Sequence, residues 1–502
     1  MATEKKFTEY SEVALTTPDD EILQKVERVK KGYRSGKTLP ISYRMEQLRN
    51  LYYAVKDNSD VLKEALQKDL HRHPNETEAL EMHGVYAELD LALNKLPKWA
   101  KEDGAGWGGL KFMASNTRVA KIPRGTVLLI SPWNYPFFTG LVPVINAIAA
   151  GNTMIWKPTE VIPHTTQALT KLIENYMDPD LIQVVNGEIP QASLLLEQKF
   201  DKILVTGSGR VGRVVAQAAA KHVTPVVLEL GGKSPALIAK DADIAATAKR
   251  LVWGKFVNAG QTCVAPDYLL VESSVKDRLV EEIKKVIQQF YPHLGKDDGQ
   301  FAHIPNERLF NRLAGLISET QGKVVFGGDT DKESLYIEPT IVTNVTAEDP
   351  LMQDELFGPI LPIVTIEDIS TEGVDFVIDN HDTPLALYIF TNNKKVADSI
   401  LDRTRSGGAI VNDTILHVGM KHVPFGGIGE SGYGAYHGKD GFEAFSHKRT
   451  VVRQPLWAES LLKVRYPPYT PSKAKQLDLL SHPSEWYPRT GKVSKPLWRR
   501  LF

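Results

Sequence analysis

A chain of 502 residues, 42% hydrophobic and 24% charged, has the balance of a globular protein of two or three domains and excludes a disordered one. Lys and Arg (60) nearly cancel Asp and Glu (61), so no global field draws it to nucleic acid or an anionic membrane, and its expected partners are small molecules or a second copy of itself. One cysteine, Cys263, excludes an intrachain disulfide; with a polar Met1–Tyr10 where an apolar leader would stand, it points to a reducing intracellular compartment, most simply the cytoplasm.

The first hundred residues read as helical. Ile22, Val26, Val29 and Tyr33 share one face, as do Ile41, Met45, Leu48, Tyr52 and Val55. Thr17-Pro18-Asp19-Asp20 reads as a helix start, with Thr17 as the capping hydroxyl and acids at the positive end of the dipole. Gly125 to Trp156 carries no charge, which raises the question of a membrane span. Pro132, Pro136 and Pro143 argue against it, since a proline inside a helix costs about 3 kcal/mol. The segment reads instead as a buried strand (Thr126–Ile130), an irregular turn and a buried helix (Leu141–Ala150).

Short β-rich runs then alternate with helical stretches. The runs are Val127–Ser131, Thr153–Lys157, Ile182–Asn186, Lys202–Thr206 and Val226–Leu230; the helices between them include Thr165–Tyr176 and Val211–Lys221. This alternation predicts parallel strands with crossover helices, a doubly wound α/β domain whose ligands sit at the carboxyl ends of the strands. A second βα series follows Leu237, through Val275–Phe290, Leu309–Thr320, Ala386–Phe390 and Val396–Thr404. Arg118–Arg124 and His447–Gln454 read as edge strands. The chain closes on a basic, aromatic Lys495–Phe502, which reads as a surface-docked tail, with peripheral membrane contact as the second reading.

Lys202 to Gly212 is strand, glycine turn and helix start, and spells G-x-G-x-x-G through Gly207, Gly209 and Gly212, with Ser208, Arg210 and Val211 between them. In that context it fits a dinucleotide site, because backbone can approach a pyrophosphate at a helix N-terminus. The same glycines fit a tight turn with no ligand. Glu229 falls where a Rossmann protein places its ribose acid, but Lys157 and Glu160, after the preceding strand, make a better ribose pair; alone they also fit a solvated ion pair.

Cys263 lies in Gly260-Gln261-Thr262-Cys263, where backbone N–H groups could lower its pKa; a buried, inert thiol is the plainer reading of a lone cysteine. Glu229, at the end of an apolar strand, would be lifted by burial toward the range of a general base, or would pair with Lys233. Asn134, after a strand end, offers an amide to a developing oxyanion, or satisfies its own turn. No histidine stands near Cys263 in sequence, and no metal-ligand spacing is evident.

Taken in order, these segments resemble the aldehyde dehydrogenase superfamily, and within it the class 3, fatty-aldehyde branch. The resemblance runs from about Val26 to Ser472. It is carried by Pro132-Trp133-Asn134-Tyr135-Pro136, Lys157-Pro158-Thr159-Glu160, Thr206-Gly207-Ser208, Leu228-Glu229-Leu230-Gly231-Gly232-Lys233, Gly260-Gln261-Thr262-Cys263, Glu355-Leu356-Phe357-Gly358-Pro359 and Pro424-Phe425-Gly426-Gly427. Asn258 to Tyr268 and Gly434 to Lys439 point to class 3.

The resemblance implies a Rossmann-type cofactor domain (1–228, including a bridging strand at 118–124) and an α/β catalytic domain (229–430). A small β bridging, oligomerising segment (431–456) and a tail (457–502) would follow. It implies oxidation of an aldehyde to a carboxylic acid, with Cys263 as nucleophile, Glu229 as base and Asn134 as oxyanion donor. NAD would be held near Trp133, by Lys157 and Glu160 at the adenosine ribose, by Gly207 to Gly212 at the pyrophosphate, and by Glu355 and Phe357 at the nicotinamide ribose; NADP is not excluded. Gly209 stands where the family usually has threonine. Tyr135, Phe137, Ile415, Leu416, Val418 and Met420 would line an apolar substrate entrance for medium- to long-chain aliphatic or aromatic aldehydes. A homodimer is implied. Membrane-bound relatives carry a C-terminal anchor; Leu477 to Phe502 is polar and proline-broken, and a transmembrane span is not expected. The competing readings are a cysteine hydrolase without nicotinamide and an inactive dehydrogenase fold used for binding.

Overall fold

A computed structural model describes residues 6–104, 114–295 and 299–481. The chain divides into two compact units, Met1–Ala100 with Ile122–His447, and Lys101–Lys121 with Lys448–Phe502.

The first unit opens on helices Asp19–Arg34 and Ile41–Asp57. The first buries the expected Ile22, Val26 and Val29. Its cap differs from expectation: Pro18 holds the N-cap position without a side-chain bond, while the Thr17 hydroxyl accepts from the Asn186 N–H at 3.0 Å. The hydroxyl is spent on a tertiary contact, and Asp19, Asp20 and Glu21 are left to complement the dipole. In the second helix Leu48 and Val55 are buried as expected, but Leu51 and Ala54 complete the face instead of Tyr52.

A six-stranded sheet runs Gly432–Tyr433, Val226–Glu229, Lys202–Thr206, Thr126–Ile130, Thr153–Lys157, Ile182–Val184. All pairings are parallel except that of Gly432–Tyr433, which lies antiparallel along Val226–Glu229. From Thr126–Ile130 the next strands in sequence lie on one side and Lys202–Thr206 and Val226–Glu229 on the other, so the winding direction reverses between Ile130 and Val205. Such a switch point opens a crevice at the carboxyl ends of the strands. The helix expected at Leu141–Ala150 begins earlier, at Pro136, and is buried throughout. Pro136 sits in its first turn, where the missing N–H has no intrahelical partner to lose.

A seven-stranded sheet follows, in the order Lys323–Phe326, Thr340–Thr343, Ile360–Ile366, Tyr268–Glu272, Pro235–Ile238, Ala386–Phe390, Gly408–Val411, parallel but for the Lys323–Phe326 edge. Its inner strands, such as Tyr268–Glu272, Ile360–Ile366 and Ala386–Phe390, are near-continuous apolar runs buried on both faces, as parallel strands covered by helices require. The two sheets account for the expected α/β class, with a Rossmann-type part and a second α/β part.

The second unit is built on a small sheet ordered Asp103–Gly104, Asn116–Pro123, Ser446–Arg453, the latter two within two residues of the expected edge strands. No described helix is long and apolar enough to cross a membrane. The tail beyond residue 481, including Lys495–Phe502, lies outside the described residues.

Candidate active site

The topology gathers the expected residues at one end of the six-stranded sheet. Trp133 and Asn134 follow Thr126–Ile130, Lys157 and Glu160 follow Thr153–Lys157, Gly207 to Gly212 follow Lys202–Thr206, and Glu229 ends Val226–Glu229. Thr206 and Glu229 are direct neighbours in the ladder.

The glycine turn leads into helix Gly209–Ala220, capped by the Ser208 hydroxyl, which accepts from Val211 N–H at 3.4 Å. The other first-turn amides of that helix have no intrahelical acceptors and are open to an anion. A Cβ on Gly212 would lie 2.7 Å from the Leu230 side chain, so this glycine is demanded by helix-to-strand packing. Gly207 and Gly209 are under no such pressure from the chain. Val211 and Val214 stand 41% and 52% exposed, an apolar shelf suited to a flat base. Lys157 and Glu160 pair at 3.1 Å, the lysine buried and the acid open to solvent. Buried Thr206 Oγ1 has no partner among the described residues. Amides, shelf, exposed acid and orphaned hydroxyl fit a dinucleotide.

Glu355 and Phe357 approach from the loop before Ile360–Ile366. Asp267 accepts from the Leu356 N–H at 3.1 Å, Arg312 donates to the carbonyls of Glu355 and Leu356, and the Phe357 ring meets Trp133 edge-on at 5.5 Å. Burial, with Asp267 nearby, lifts Glu355 to about 8.

Cys263 follows an abrupt turn. Asn258 and Ala259 both hold φ 52°, and Gly260 holds φ 73°, where a Cβ would meet the Gly358 carbonyl oxygen at 2.3 Å. The turn is bound to Asn134: Asn134 Nδ2 donates to the Gln261 carbonyl at 2.9 Å, and Asn258 Nδ2 to the Asn134 carbonyl at 2.9 Å. Next door, the Tyr135 hydroxyl lies 2.7 Å from Thr262 Oγ1. The second Asn134 side-chain N–H is left without an acceptor among the described residues.

The thiol does not have the depressed pKa expected of it. Burial, then Glu355 and Glu229, push Cys263 up to about 12, outweighing the backbone N–H groups of Cys263 and Val264 that favour the thiolate. No histidine is among the groups that act on it most strongly. Glu229 does not pair with Lys233. Lys233 donates to Asp267 at 2.7 Å, and both Glu229 oxygens are buried without a hydrogen bond among the described residues, so desolvation lifts its pKa well above the carboxylate range.

Sequence reasoning missed the buried supports of this site. Arg72, Glu81 and Lys255 lie in segments with no recognisable spacing, while Lys233, Asn258, Gln261 and Asp267 stand inside motifs that gave no hint of this supporting role; burial of so many polar groups together is what marks them.

A doubly wound sheet whose carboxyl ends present a glycine turn and an unpaired carboxylate, with a thiol in the electrostatic neighbourhood of that carboxylate, is the arrangement of a cysteine-dependent oxidoreductase. The chain matches the aldehyde dehydrogenase family over residues 5–451. It is 42% identical to the dimeric NADP-preferring aldehyde dehydrogenase of Rattus norvegicus, over 89% of this chain and 98% of that one. It is 43% identical to the rat aldehyde dehydrogenase family 3 member A2, over 90% and 92%. Among solved structures, Staphylococcus aureus AldH in a substrate-bound state superposes with a TM-score of 0.88 at 38% identity, covering 91% of this chain and 99% of that one. The chain belongs to the aldehyde dehydrogenase family, in its class 3, fatty aldehyde dehydrogenase-like branch, and its activity is NAD(P)-dependent aldehyde oxidation.

Proposed function

We propose that this enzyme oxidises medium- to long-chain aliphatic or aromatic aldehydes to free carboxylic acids through a thioester on Cys263. The observation that carries the reading is the unpaired, buried Glu229 carboxylate in the electrostatic neighbourhood of the Cys263 thiol. The Cys263 sulfur passes its proton to solvent water and attacks the carbonyl carbon; the oxygen that becomes negative takes the free N–H of Asn134 and the backbone N–H of Cys263, and loss of a hydride from that carbon, two electrons and one proton together, leaves the thioester. Lys157 and Glu160, the Gly207–Gly212 turn, Trp133, Glu355 and Phe357 would hold the dinucleotide, which when bound supplies the acceptor for two electrons. Glu229 then takes the proton of the water that hydrolyses the thioester, releasing the acid. A coenzyme A-acylating enzyme would not need that base.

Chain length is read from the walls. Tyr135, Phe137 and Ile415 are buried, Val418 is half-buried, and Leu416 and Met420 present apolar surface to solvent. A kinetic series from acetaldehyde to hexadecanal tests this: kcat/KM should rise with length, and a preference for the two-carbon substrate overturns it.

The division of labour that accompanies this reading is 1–228 for the cofactor, 229–430 for the chemistry, 431–456 as return and bridge, and 457–502 as tail. A homodimer through the Asn116–Pro123 and Ser446–Arg453 strands, in the cytoplasm, with the tail available for peripheral membrane contact, completes the proposal. Light scattering at the monomer mass would remove the dimer.

A further inference from the structure

Arg72 is fully buried, a position that a guanidinium occupies only when its donors are matched. It donates to Glu81, to Thr77 Oγ1 at 3.1 Å and to the Asn134 carbonyl at 3.0 Å, and lies 5.3 Å over the Tyr135 ring. The second oxygen of Glu81 accepts from the N–H groups of Phe137 and Phe138 at 2.7 and 3.0 Å. One ion pair thus grips both ends of the Asn134–Phe138 turn. A second arm reaches the Cys263 turn: Glu76 Oε1 accepts from Asn258 N–H at 2.7 Å, and Asn258 Nδ2 shares the Asn134 carbonyl with Arg72. Burial pushes the Glu76 carboxyl up, and the Arg72 charge offsets only part of that rise. The left-handed backbone at Asn258 and Ala259 has to be held by its surroundings, and Glu76 bonded to the Asn258 amide does so.

We propose that Arg72 is a positioning residue for the chemical step: with Glu81, Glu76 and Asn258 it locks the Asn134 amide against the Cys263 turn, so that the one free N–H meets the oxygen of the aldehyde as it becomes negative. The proposal rests on the roles given above to Cys263 and Asn134.

The test uses the full-length enzyme, a saturating aldehyde and the pre-steady-state burst of NAD(P)H, with cofactor binding followed separately by fluorescence. Arg72→Met should slow the burst by about 10²-fold, the loss typical of an oxyanion donor, with cofactor Kd unchanged and KM little altered. Arg72→Lys should recover much of the rate, because an ammonium still reaches the Asn134 carbonyl and Glu81. A wild-type burst in folded Arg72→Met, or a lysine variant no faster than the methionine one, overturns the proposal. Should Arg72→Met fail to fold, Asn258→Gly decides: it keeps the left-handed backbone and removes the amide, so a slowed burst supports the lock and a wild-type burst sinks it. Cys263→Ala run alongside separates the two levels. If it still turns over, the nucleophile reading fails; if it is dead while Arg72→Met and Asn258→Gly are normal, only the positioning role does.

Discussion

Lys233 meets Asp267 at 2.7 Å and leaves Glu229, four residues upstream, with no bonded cation among the described residues. Lys255 takes the other oxygen of Asp267 at 3.3 Å, so a single carboxylate carries two buried ammonium groups. The shared acid settles the protonation of its neighbours: burial would raise Asp267, but Lys233 and Lys255 hold it below the ordinary range, while Glu229 rises unopposed.

Glu229 lifted in this way is protonated where a free glutamate is ionised, and it gains its function as a base only as pH rises. Thioester hydrolysis should therefore climb with pH from neutral into the alkaline range. Glu229→Gln should give one burst of NAD(P)H per active site and then stall, with acyl-enzyme visible by mass spectrometry of the quenched protein. A full steady-state rate in that variant means another group takes the proton.

The same reasoning applies to the thiol. With Cys263 at about 12, the thiolate fraction of the cofactor-free enzyme, and so its rate of alkylation by iodoacetamide, should rise about tenfold per pH unit between pH 7 and 9. A plateau below pH 8 would place the thiol in a far more anion-friendly setting than its buried surroundings allow.

Asp267→Asn strands two lysines in the core. Removing one partner of a buried pair costs about 3–5 kcal/mol, and here one acid serves both cations. Urea unfolding should show the loss as a lower midpoint with an unchanged slope. An unaltered midpoint would mean that water already reaches Lys233 and Lys255.

Gly212→Ala forces a methyl into the Leu230 side chain, and overpacking of that kind costs about 1–3 kcal/mol. The shift should displace the helix N-terminus and weaken NAD(P)H binding in a fluorescence titration. Adding Leu230→Ala should restore affinity; a double variant no tighter than the single one would place the defect elsewhere.

The nucleotide sheet was legible because its strands are short apolar runs between turn residues. Thr126–Ile130, Thr153–Lys157, Lys202–Thr206 and, in the other sheet, Ala386–Phe390 fall where β-rich composition puts them. Misplacements came where tertiary contacts override local preference, as at Thr17, drawn to Asn186, and at Pro136, which starts a helix instead of delaying one. Within the site, Cys263, Glu229 and Asn134 could be singled out by context, but their state could not. Whether Glu229 pairs with Lys233 depends on Asp267, 34 positions further on, and the Asn134 carbonyl is held from Arg72 and Asn258, 62 and 124 positions away. Such bonds leave no periodic trace in the chain.

The antiparallel strip Gly432–Tyr433 closes the flank of Val226–Glu229, and it comes from sequence that follows the whole seven-stranded sheet. During synthesis, then, the strand ending in Glu229 waits with an open edge until nearly all the rest of the polypeptide has emerged. Glu229, the proposed base, acquires its final wall late, and a ribosome that stops short of this strip releases a nucleotide fold with a bare, adhesive border.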